Sequence, residues 1–479
     1  MTDGDFGLLS PVSALPTVAA LTGDRAVITA ILDVEASWAA VLEEAGLAPA
    51  GSAAVVAEAA DAGSFDVLSL AERAQGGGNP VIPLLGDLRA RVRELDTAGI
   101  GAGKSVHTSL TSQDVLDSAL MLLASRTVTA LLAEVKGTTT ALATLAEQHA
   151  DTLCVGRSLT QHALPYTFGL KAAQWFQGVA AAAARLESLE LPVQFGGAGG
   201  TLASGTKLTA GSDATPFTLA DALAAALGLA PAPAPWHTNR LAVTALGDGL
   251  AALLDSFGKI AADLLFLSRP EVSELGEPLA AGRGVSSAMP QKQNPVLSVL
   301  IRSAALQSPG LASQLHLAAA TFNDERPDGA WHSEWPALRQ LLALALGAAG
   351  HLRELAEGLR VFPDAMRRNL DISGPLLLSE GVMTAVAPLL GEDGRRKLQI
   401  VVDETLKAPV AEQTRIYTKL LRETVPADQL TDAELEALLD PASYLGEARE
   451  ISRRILAAYP HFAALTKGTE ASPKGAIRG

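Results

Sequence analysis

Reactive side chains are densest between residues 282 and 295, in the stretch GRGVSSAMPQKQNP. Ser286 and Ser287 supply paired hydroxyl groups, Lys292 supplies a cation and Asn294 supplies an amide. The glycines and prolines of this stretch favour an irregular loop, and such a composition is typical of a plain connection between helices. A hydroxyl group beside an ammonium group could, however, remove a proton and stabilise the negative charge that results.

An apolar segment that begins at Val296 follows this loop. Pro295 suits the first position of a helix, and Asn294 suits the N-cap that precedes it. The sequence therefore predicts that the loop delivers its polar groups to the N-terminus of a helix. Unpaired N–H groups and the helix dipole make such a terminus a favourable place for an anion.

Two further polar clusters precede predicted helices. The stretch HTSLTSQD contains His107, Thr111 and Ser112, and ordinary helix-start signals explain its hydroxyl groups but not its histidine. The stretch GRSLTQHALP contains Gln161 and His162, and we expect His162 to be a partly exposed residue at the entry of a helix. A lone histidine is more often structural than catalytic, so neither cluster identifies a site by itself.

Composition limits the class of protein. The chain of 479 residues has a formal net charge of -15, and it therefore lacks the basic balance typical of nucleic-acid binders. An acidic substrate would have to meet local cations, of which Lys292, Arg157 and Arg240 are candidates. The sequence has no metal-ligand motif and no dinucleotide-binding motif, so we expect neither a metal nor another cofactor.

Cysteine content and apolar runs indicate the compartment. Cys154 is the one cysteine, which excludes an intrachain disulfide and fits a reducing environment. The start, MTDGDFGLLS, lacks the basic flank of a secretory signal, and no charge-free apolar run reaches the length of a membrane span. We expect a cytoplasmic protein that does not bind a membrane.

Helical periodicity dominates the chain. The hydrophobic fraction is 48%, mostly alanine, leucine and valine, and alanine and leucine rank among the best helix formers. We expect the Pro309-Gly310 pair to kink or break the fourth of five long predicted helices. These five helices cover about residues 112–150, 166–189, 240–267, 295–320 and 335–359.

Five helices of this length predict an all-α fold built around one elongated bundle, with sites formed between facing helices. Shorter helical segments precede and follow the bundle. The predicted division is an N-terminal helical domain (1–110), a central long-helix bundle (111–361), a C-terminal helical domain (362–465) and a disordered tail (466–479).

The three polar stretches resemble conserved blocks of the fumarase/aspartase superfamily. SSAMPQKQNP is similar to the signature loop GSSxMPxKxNP, with Val285 in place of its glycine. HTSLTSQD is similar to the first block, HxGxTSxD, with Ser109 in place of glycine. GRSLTQHALP resembles the second block, in which Gln161 matches and Leu159 replaces the usual histidine.

Other stretches resemble one branch of that superfamily, the enzymes that convert 3-carboxy-cis,cis-muconate into a lactone and that also lack this histidine. The similarity covers nearly the whole chain to about residue 390 and is weakest towards the C-terminus. Gln293 differs from the arginine that is common at its position. The stretches are FGLLSP, LDVEASWAAVLEEAGLAP, GNPVIPL, HALPYTFGLKAAQW, VQFGGAGGTLAS, WHTNR and ERPDGAWHSEW.

The resemblance implies a cofactor-independent cycloisomerase that acts on a small polycarboxylate in aromatic (protocatechuate) catabolism. It implies that Ser286 or Ser287 removes a proton next to a carboxylate and that His107 lies near the chemistry. It also implies a homotetramer in which each site is assembled from three subunits. The implied substrate-binding residues are Thr111, Ser112, Gln161, Arg240, Lys292 and Asn294.

Two alternatives stay open at this point. The first is a fumarate-releasing lyase similar to adenylosuccinate lyase, and the replacement of the usual histidine by Leu159 argues against it. The second is a non-catalytic helical oligomer of the same fold, and the intact SSAMPQKQNP stretch argues against that one. Neither alternative identifies the group that would act as the proton donor.

Overall fold

The computed structural model of the chain describes residues 7–289 and 291–463. Before the long helices, this part of the chain forms shorter helices. They confirm the shorter helical segments that the sequence predicts ahead of the bundle. The helices are α1 (Pro16–Thr22), α2 (Asp24–Glu44), α3 (Ser52–Ala59), α4 (Val67–Gly77) and α5 (Val81–Leu95).

All five predicted long helices are present. The last of them begins at Gly329 rather than near Trp335, so Pro336 lies inside the helix and not at its first position. The helices of this region are α6 (Ser112–Gln148), α7 (Phe168–Glu187), α8 (Ala203–Thr209), α9 (Pro216–Leu227), α10 (Leu241–Leu267), α11 (Val296–Ala320) and α12 (Gly329–Glu357).

Shorter helices follow the long ones, as the sequence predicts. Thr431 and Glu434 form a capping box at the start of one of them. The predicted tail, residues 466–479, lies outside the described residues. The helices are α13 (Pro363–Ser373), α14 (Ser379–Val386), α15 (Gly394–Leu406), α16 (Val410–Thr424), α17 (Asp432–Leu438), α18 (Ala448–Ala458) and α19 (Pro460–Ala463).

Helix α11 passes through Pro309 without a break, so the prediction of a break at this position is wrong. A proline has no N–H group to donate to the carbonyl oxygen four residues earlier, which here belongs to Ala305. The buried Ser308 hydroxyl group donates a hydrogen bond of 3.1 Å to that oxygen instead. The substitute donor satisfies the carbonyl group that proline would otherwise leave unpaired.

The stretch expected to lead directly into the second long helix forms a β-hairpin. Strands β1 (Leu153–Ser158) and β2 (Gln161–Thr167) pair in antiparallel register, with an irregularity between Gly156 and Arg157. Leu159 and Thr160 form the two-residue tip with φ angles of 49° and 70°. Such left-handed pairs suit the twist of a tight hairpin. A second short pair joins β3 (Leu275–Gly276) to β4 (Arg360–Val361).

The chain folds into two compact units, each assembled from three segments. Because the segment boundaries fall within the five long helices, each of these helices contributes residues to both units. The predicted domains are consecutive stretches of sequence, whereas each unit combines separate segments. The division into three domains therefore stays a prediction. Unit 1 consists of Met1–Val135, Ala182–Gly258 and Leu300–His351, and unit 2 of Lys136–Ala181, Lys259–Val299 and Leu352–Gly479.

Each unit has its own apolar core. In unit 1, Trp38 of α2 packs on Phe195 with ring centroids 4.9 Å apart. Small residues also let α10 approach α11 closely, because a Cβ atom at Gly247 would lie 2.5 Å from Leu315 Cδ1. In unit 2, buried Tyr417 belongs to a core formed by helices α14 to α17.

Two segments, Ser112–Gln148 and Pro363–Leu390, are long and apolar enough to cross a membrane by length and composition alone. In the first segment, 72% of the apolar window is buried within the protein. A core helix of a soluble protein passes the same test, so these segments carry little weight. The expectation that the protein does not bind a membrane stays a prediction.

Replacing Ser308 with alanine tests the role of its hydroxyl group in α11. The variant leaves the Ala305 carbonyl group unpaired, and we expect a loss of about 1–3 kcal/mol in the free energy of unfolding. Denaturation monitored by circular dichroism would measure the change. In a Pro309→Ala background the backbone N–H group returns, so the same serine substitution should cost much less. Equal losses in both backgrounds would contradict this role.

Candidate active site

Hydrogen bonds join the two ends of the loop from Gly282 to Pro295, which lies in unit 2. The Gly284 carbonyl oxygen accepts hydrogen bonds from the Asn294 backbone N–H at 2.9 Å and from Asn294 Nδ2 at 3.2 Å. Gly284 has a φ angle of +68°, and a Cβ atom there would lie 2.5 Å from the Asn294 carbonyl oxygen. Glycine is therefore required at position 284 for the loop to close on itself.

Val285 occupies a position at which the backbone does not need glycine. Its φ angle is not positive, and it forms an isolated antiparallel bridge with Gln293. The Gln293 side chain reinforces the same bridge by donating to the Arg283 carbonyl oxygen at 2.9 Å. Valine can therefore replace the glycine of the signature loop without backbone strain. Pro290 lies outside the described residues.

The two serines of the loop have different surroundings. The oxygen of the half-buried Ser286 hydroxyl group accepts hydrogen bonds from the backbone N–H groups of Met289 at 3.1 Å and Ala288 at 3.4 Å. Donors aimed at an oxygen favour its anionic form. Ser287 is exposed and has no hydrogen-bond partner among the described residues. Lys292 is also exposed and forms no ion pair within the described chain.

A side-chain carboxylate of the protein itself already occupies the N-terminus of α11. The Glu277 carboxylate accepts hydrogen bonds from the backbone N–H groups of Leu297 at 3.1 Å and Ser298 at 2.7 Å, and from the Ser298 hydroxyl group at 2.6 Å. The prediction that Asn294 caps this helix is wrong, because its side chain closes the loop instead. An external anion would have to displace a carboxylate that is 8% exposed.

The β-hairpin carries a second polar cluster of unit 2. Arg157 forms an ion pair of 2.5 Å with the buried Glu274, and Asn369 donates to the same carboxylate at 2.8 Å. The guanidinium group of Arg157, a candidate cation, is thus committed to a structural pair. Gln161 is exposed beside the hairpin tip, and its Nε2 atom donates to the Thr160 hydroxyl group at 3.3 Å.

His162 lies on strand β2, so the expectation that it enters a helix is wrong. Its Nδ1 atom is 3.0 Å from the Ser373 hydroxyl oxygen. Burial, and then the charge of Arg157, lower the pKa of His162. This histidine therefore serves as a neutral hydrogen-bonding group near neutral pH. Leu159, at the tip of the hairpin, is 93% exposed.

In unit 1, the buried Asp114 organises the start of α6. Its carboxylate accepts hydrogen bonds from the backbone N–H groups of Thr111 at 3.0 Å, Gly196 at 2.9 Å and Gly197 at 2.9 Å. His237 Nε2 contacts the same carboxylate at 2.7 Å. One side chain thus joins the helix start to the glycine-rich segment near residue 196.

The hydroxyl groups at this helix start are available to a ligand to different degrees. Thr111 Oγ1 accepts a hydrogen bond of 2.8 Å from Arg326 Nη1. Arg326 is half-buried and forms no ion pair with a carboxylate among the described residues. The Ser112 hydroxyl group has no hydrogen-bond partner among the residues that the structure describes. A cation, two hydroxyl groups and a helix N-terminus therefore lie together.

Arg240 is held in the interior of unit 1. Its guanidinium group pairs with Asp117 at 2.8 Å and with Glu334 at 2.7 Å, and its side chain has no exposed area. It also lies over the rings of Trp236 and Phe322. Burial raises the pKa of Glu334, and the pairing with Arg240 opposes that shift. The structure gives Arg240 a structural role, and its substrate-binding role stays a prediction.

His107 lies in a strained segment next to α2. Its φ angle is 60°, and that of Ser109 is 65°, both in the left-handed region that non-glycine residues rarely adopt. Its Nδ1 atom is 2.7 Å from Glu35 Oε1, and its backbone N–H group donates to Glu35 Oε2 at 2.8 Å. Trp38 Nε1 donates to the Thr108 carbonyl oxygen at 2.8 Å and fixes the intervening residue.

The predicted site residues therefore divide between the two units. His107, Thr111, Ser112 and Arg240 belong to unit 1. The residues in unit 2 are Gln161, Ser286, Ser287, Lys292 and Asn294.

Sequence reasoning missed several residues that hold these groups in place. Glu35 had a detectable signal, because a carboxylate interrupts the apolar face of α2. Arg326 and His237 lie in stretches that were singled out only for their resemblance. No local sequence pattern indicated that Glu277 caps α11, because Glu277 lies about twenty residues before the N–H groups that donate to it.

Replacing Glu277 with glutamine should loosen the junction between the loop and α11. A glutamine offers one acceptor oxygen and turns an NH2 group towards backbone donors, so we expect a loss of about 1–2 kcal/mol in local stability. Hydrogen exchange at Leu297 and Ser298 would measure it as faster exchange. Glu271→Gln, an exposed change in the preceding segment, is the matched control. Unchanged exchange at both amides would contradict the capping role.

Comparisons with known proteins agree with this architecture. The sequence matches a lyase family over residues 28–310. It is 42% identical to the nitrosuccinate lyase of Streptomyces davaonensis over 448 residues, which are 93% of each chain. It is 38% identical to the 3-carboxy-cis,cis-muconate cycloisomerase of Pseudomonas aeruginosa over 441 residues, which are 91% of this chain and 93% of that enzyme.

A solved structure shows the same similarity at the level of the fold. The 3-carboxy-cis,cis-muconate lactonizing enzyme from Pseudomonas putida superposes with a TM-score of 0.84 at 34% sequence identity, covering 95% of this chain and 99% of that chain. The predicted all-α fold and the prediction of an enzyme are confirmed. The chain belongs to the lyase family of the fumarase/aspartase superfamily.

Proposed function

We propose that the chain is a cycloisomerase that interconverts 3-carboxy-cis,cis-muconate and its carboxymuconolactone in aromatic catabolism. The observation that carries this proposal is the Ser286 hydroxyl group, whose oxygen accepts hydrogen bonds from two backbone N–H groups. The same loop presents Lys292, which forms no ion pair among the described residues. This arrangement suits the removal of a proton from a carbon next to a carboxylate. The relatives of known activity support the proposal.

In the lactone-opening direction, the Ser286 oxygen removes the proton next to a carboxylate. The resulting intermediate carries extra negative charge on that carboxylate, and nearby donors and cations stabilise it. The carbon–oxygen bond of the lactone then breaks, and its electron pair leaves with the oxygen as a new carboxylate. In the opposite direction the substrate supplies its own nucleophile, so positioning contributes much of the rate.

Leu159 is consistent with a leaving group that needs no proton. It occupies the position at which related enzymes carry a histidine acid, and it lies at an exposed hairpin tip. A carboxylic acid ionises near pH 4, so a carboxylate departs as a stable anion, whereas an amine departs as a neutral molecule only if its nitrogen receives a proton. The chemistry of lactone opening tolerates leucine, whereas release of an amine, as in an adenylosuccinate lyase, does not.

A second candidate follows from the relative that is 42% identical, a nitrosuccinate lyase. Elimination from nitrosuccinate would release nitrite and fumarate, and nitrite also departs as a stable anion. The same serine and the same absence of a histidine acid therefore suit both reactions. The two candidates differ in product, which makes them easy to distinguish.

Assembly and compartment complete the proposal. We propose a homotetramer in the cytoplasm, in which several subunits supply the residues of each site. In support, Val299, Leu306 and Leu317 are between half and three-quarters exposed along α11. A row of apolar side chains on one helix is typical of a surface covered by another subunit. Sedimentation of the purified protein would measure its mass.

An assay with both substrates tests the proposed reaction. We expect loss of the conjugated-diene absorbance of 3-carboxy-cis,cis-muconate with formation of a lactone, and no nitrite from nitrosuccinate. Nitrite and fumarate from nitrosuccinate, without diene loss, would instead establish the second candidate. Absence of turnover with both substrates would contradict the proposed reaction.

Replacing each serine separately tests the assignment of the base. We expect Ser286→Ala to lower kcat by about 10²- to 10⁴-fold, because the oxygen held by two N–H groups is removed. Ser287→Ala is the matched control, since its exposed hydroxyl group has no such donors, and its effect should be much smaller. Steady-state kinetics would measure both. The reverse order of effects would move the assignment to Ser287.

A further inference from the structure

Helix α2 contains one charged residue within its buried face. Glu35 has no exposed area and lies among the buried apolar residues of the helix. A carboxylate removed from water is costly unless donors replace its hydration. The buried neighbours on the same helix face are Ile28, Ile31, Leu32, Trp38, Ala39 and Leu42.

Both oxygens of Glu35 are directed at one residue. Oε2 accepts the backbone N–H group of His107 at 2.8 Å, and Oε1 lies 2.7 Å from its Nδ1 atom. No lysine or arginine pairs with Glu35 in the described part of the chain. The position of this buried carboxylate is therefore explained by His107 alone.

The contact with Glu35 favours one tautomer of His107. An ionised carboxylate can only accept hydrogen bonds, so an ionised Glu35 assigns the donor role at 2.7 Å to Nδ1. In the neutral ring, Nε2 then has a free electron pair. Nε2 has no hydrogen-bond partner among the described residues, and the side chain is 14% exposed. This nitrogen is therefore left available for proton exchange.

Contacts from neighbouring side chains hold the backbone of His107 in an unfavourable conformation. Positive φ angles at His107 and Ser109 are strained for residues with side chains. Three contacts maintain them, from Glu35, from Trp38 and from the Ser204 hydroxyl group, which donates to Ser109 Oγ at 3.0 Å. A strained segment that is fixed at three points is typical of a functional position.

We propose that Glu35 is a positioning residue that fixes His107 in the tautomer with hydrogen on Nδ1, so that Nε2 carries a proton between the reacting groups and water. The inference rests on the proposed function and extends it. Lactone formation from the trianionic substrate takes up one proton, and nitrosuccinate elimination releases one. In lactone formation a proton is added to a substrate carbon. In the elimination a proton is removed from carbon, and nitrite leaves with the electron pair of the carbon–nitrogen bond. Nε2 exchanges that proton with water.

Replacing Glu35 with glutamine separates positioning from simple packing. Glutamine has similar size but only one acceptor oxygen, so it cannot accept from both donors of His107. Its NH2 group would donate to Nδ1 and move the ring hydrogen to Nε2. We expect kcat to fall by about 10²- to 10⁴-fold with little change in KM. Asp33→Asn, an exposed change two residues away that disrupts only the pair with Arg126, is the matched control.

A spectroscopic measurement tests the same inference without a substrate. Nitrogen NMR of protein with isotopically labelled histidine reports which ring nitrogen carries hydrogen, and the His107→Gln variant identifies the signals among the eight histidines. We expect hydrogen on Nδ1 in the unmodified protein and on Nε2 in the Glu35→Gln variant. Imidazole added to a His107→Ala variant should restore part of its activity.

The outcomes separate the two proposals. Failure to turn over either substrate would reject the proposed function, whereas the tautomer of His107 would still report on Glu35. Hydrogen on Nε2 in the unmodified protein would overturn the inference, even if the glutamine variant did not fold. A Glu35→Gln variant with an unchanged kcat would also overturn it.

Discussion

A carboxylate buried in an apolar interior must meet enough hydrogen-bond donors to replace the water that it has lost. Glu35, Asp114, Glu274 and Glu277 are all less than one-tenth exposed, and each meets this requirement by accepting hydrogen bonds from groups on other segments of the chain. The chain has few aromatic residues to anchor its polar segments by packing. These four carboxylates instead fix the histidine segment, the start of α6, the hairpin and the start of α11.

This internal use of negative charge determines which cations can meet a substrate. Arg157 and Arg240 pair with buried carboxylates of the chain, so both guanidinium groups already have internal partners. Lys292 and Arg326 form no ion pair within the described residues. An overall acidic protein can thus prepare places for an acidic ligand, because local donors satisfy its buried carboxylates and a few cations have no ion pair among the described residues.

The family relation and the local geometry describe different levels of function. The proposed proton removal next to a carboxylate would use the Ser286 oxygen, which accepts hydrogen bonds from two backbone N–H groups of the loop. In the proposed reaction, the identity of the leaving group is linked to smaller differences, such as leucine at the hairpin tip. Relatives named for different reactions can therefore each be similar to this chain over most of its length. This agrees with the rule that function depends on sites carried by a common fold.

The sequence alone determined the all-α fold, the five long helices and the chemically rich loop, because helical periodicity, helix-forming composition and a specific motif are local properties. Only the tertiary structure decided how the polar groups are used. It placed His162 on a strand, buried Arg240 between Asp117 and Glu334, and gave the start of α11 to Glu277 rather than to Asn294. The strand of His162 pairs within a local hairpin, whereas the other two outcomes depend on partners more distant in sequence. Pairings between distant residues follow from how the chain packs, which local patterns do not encode.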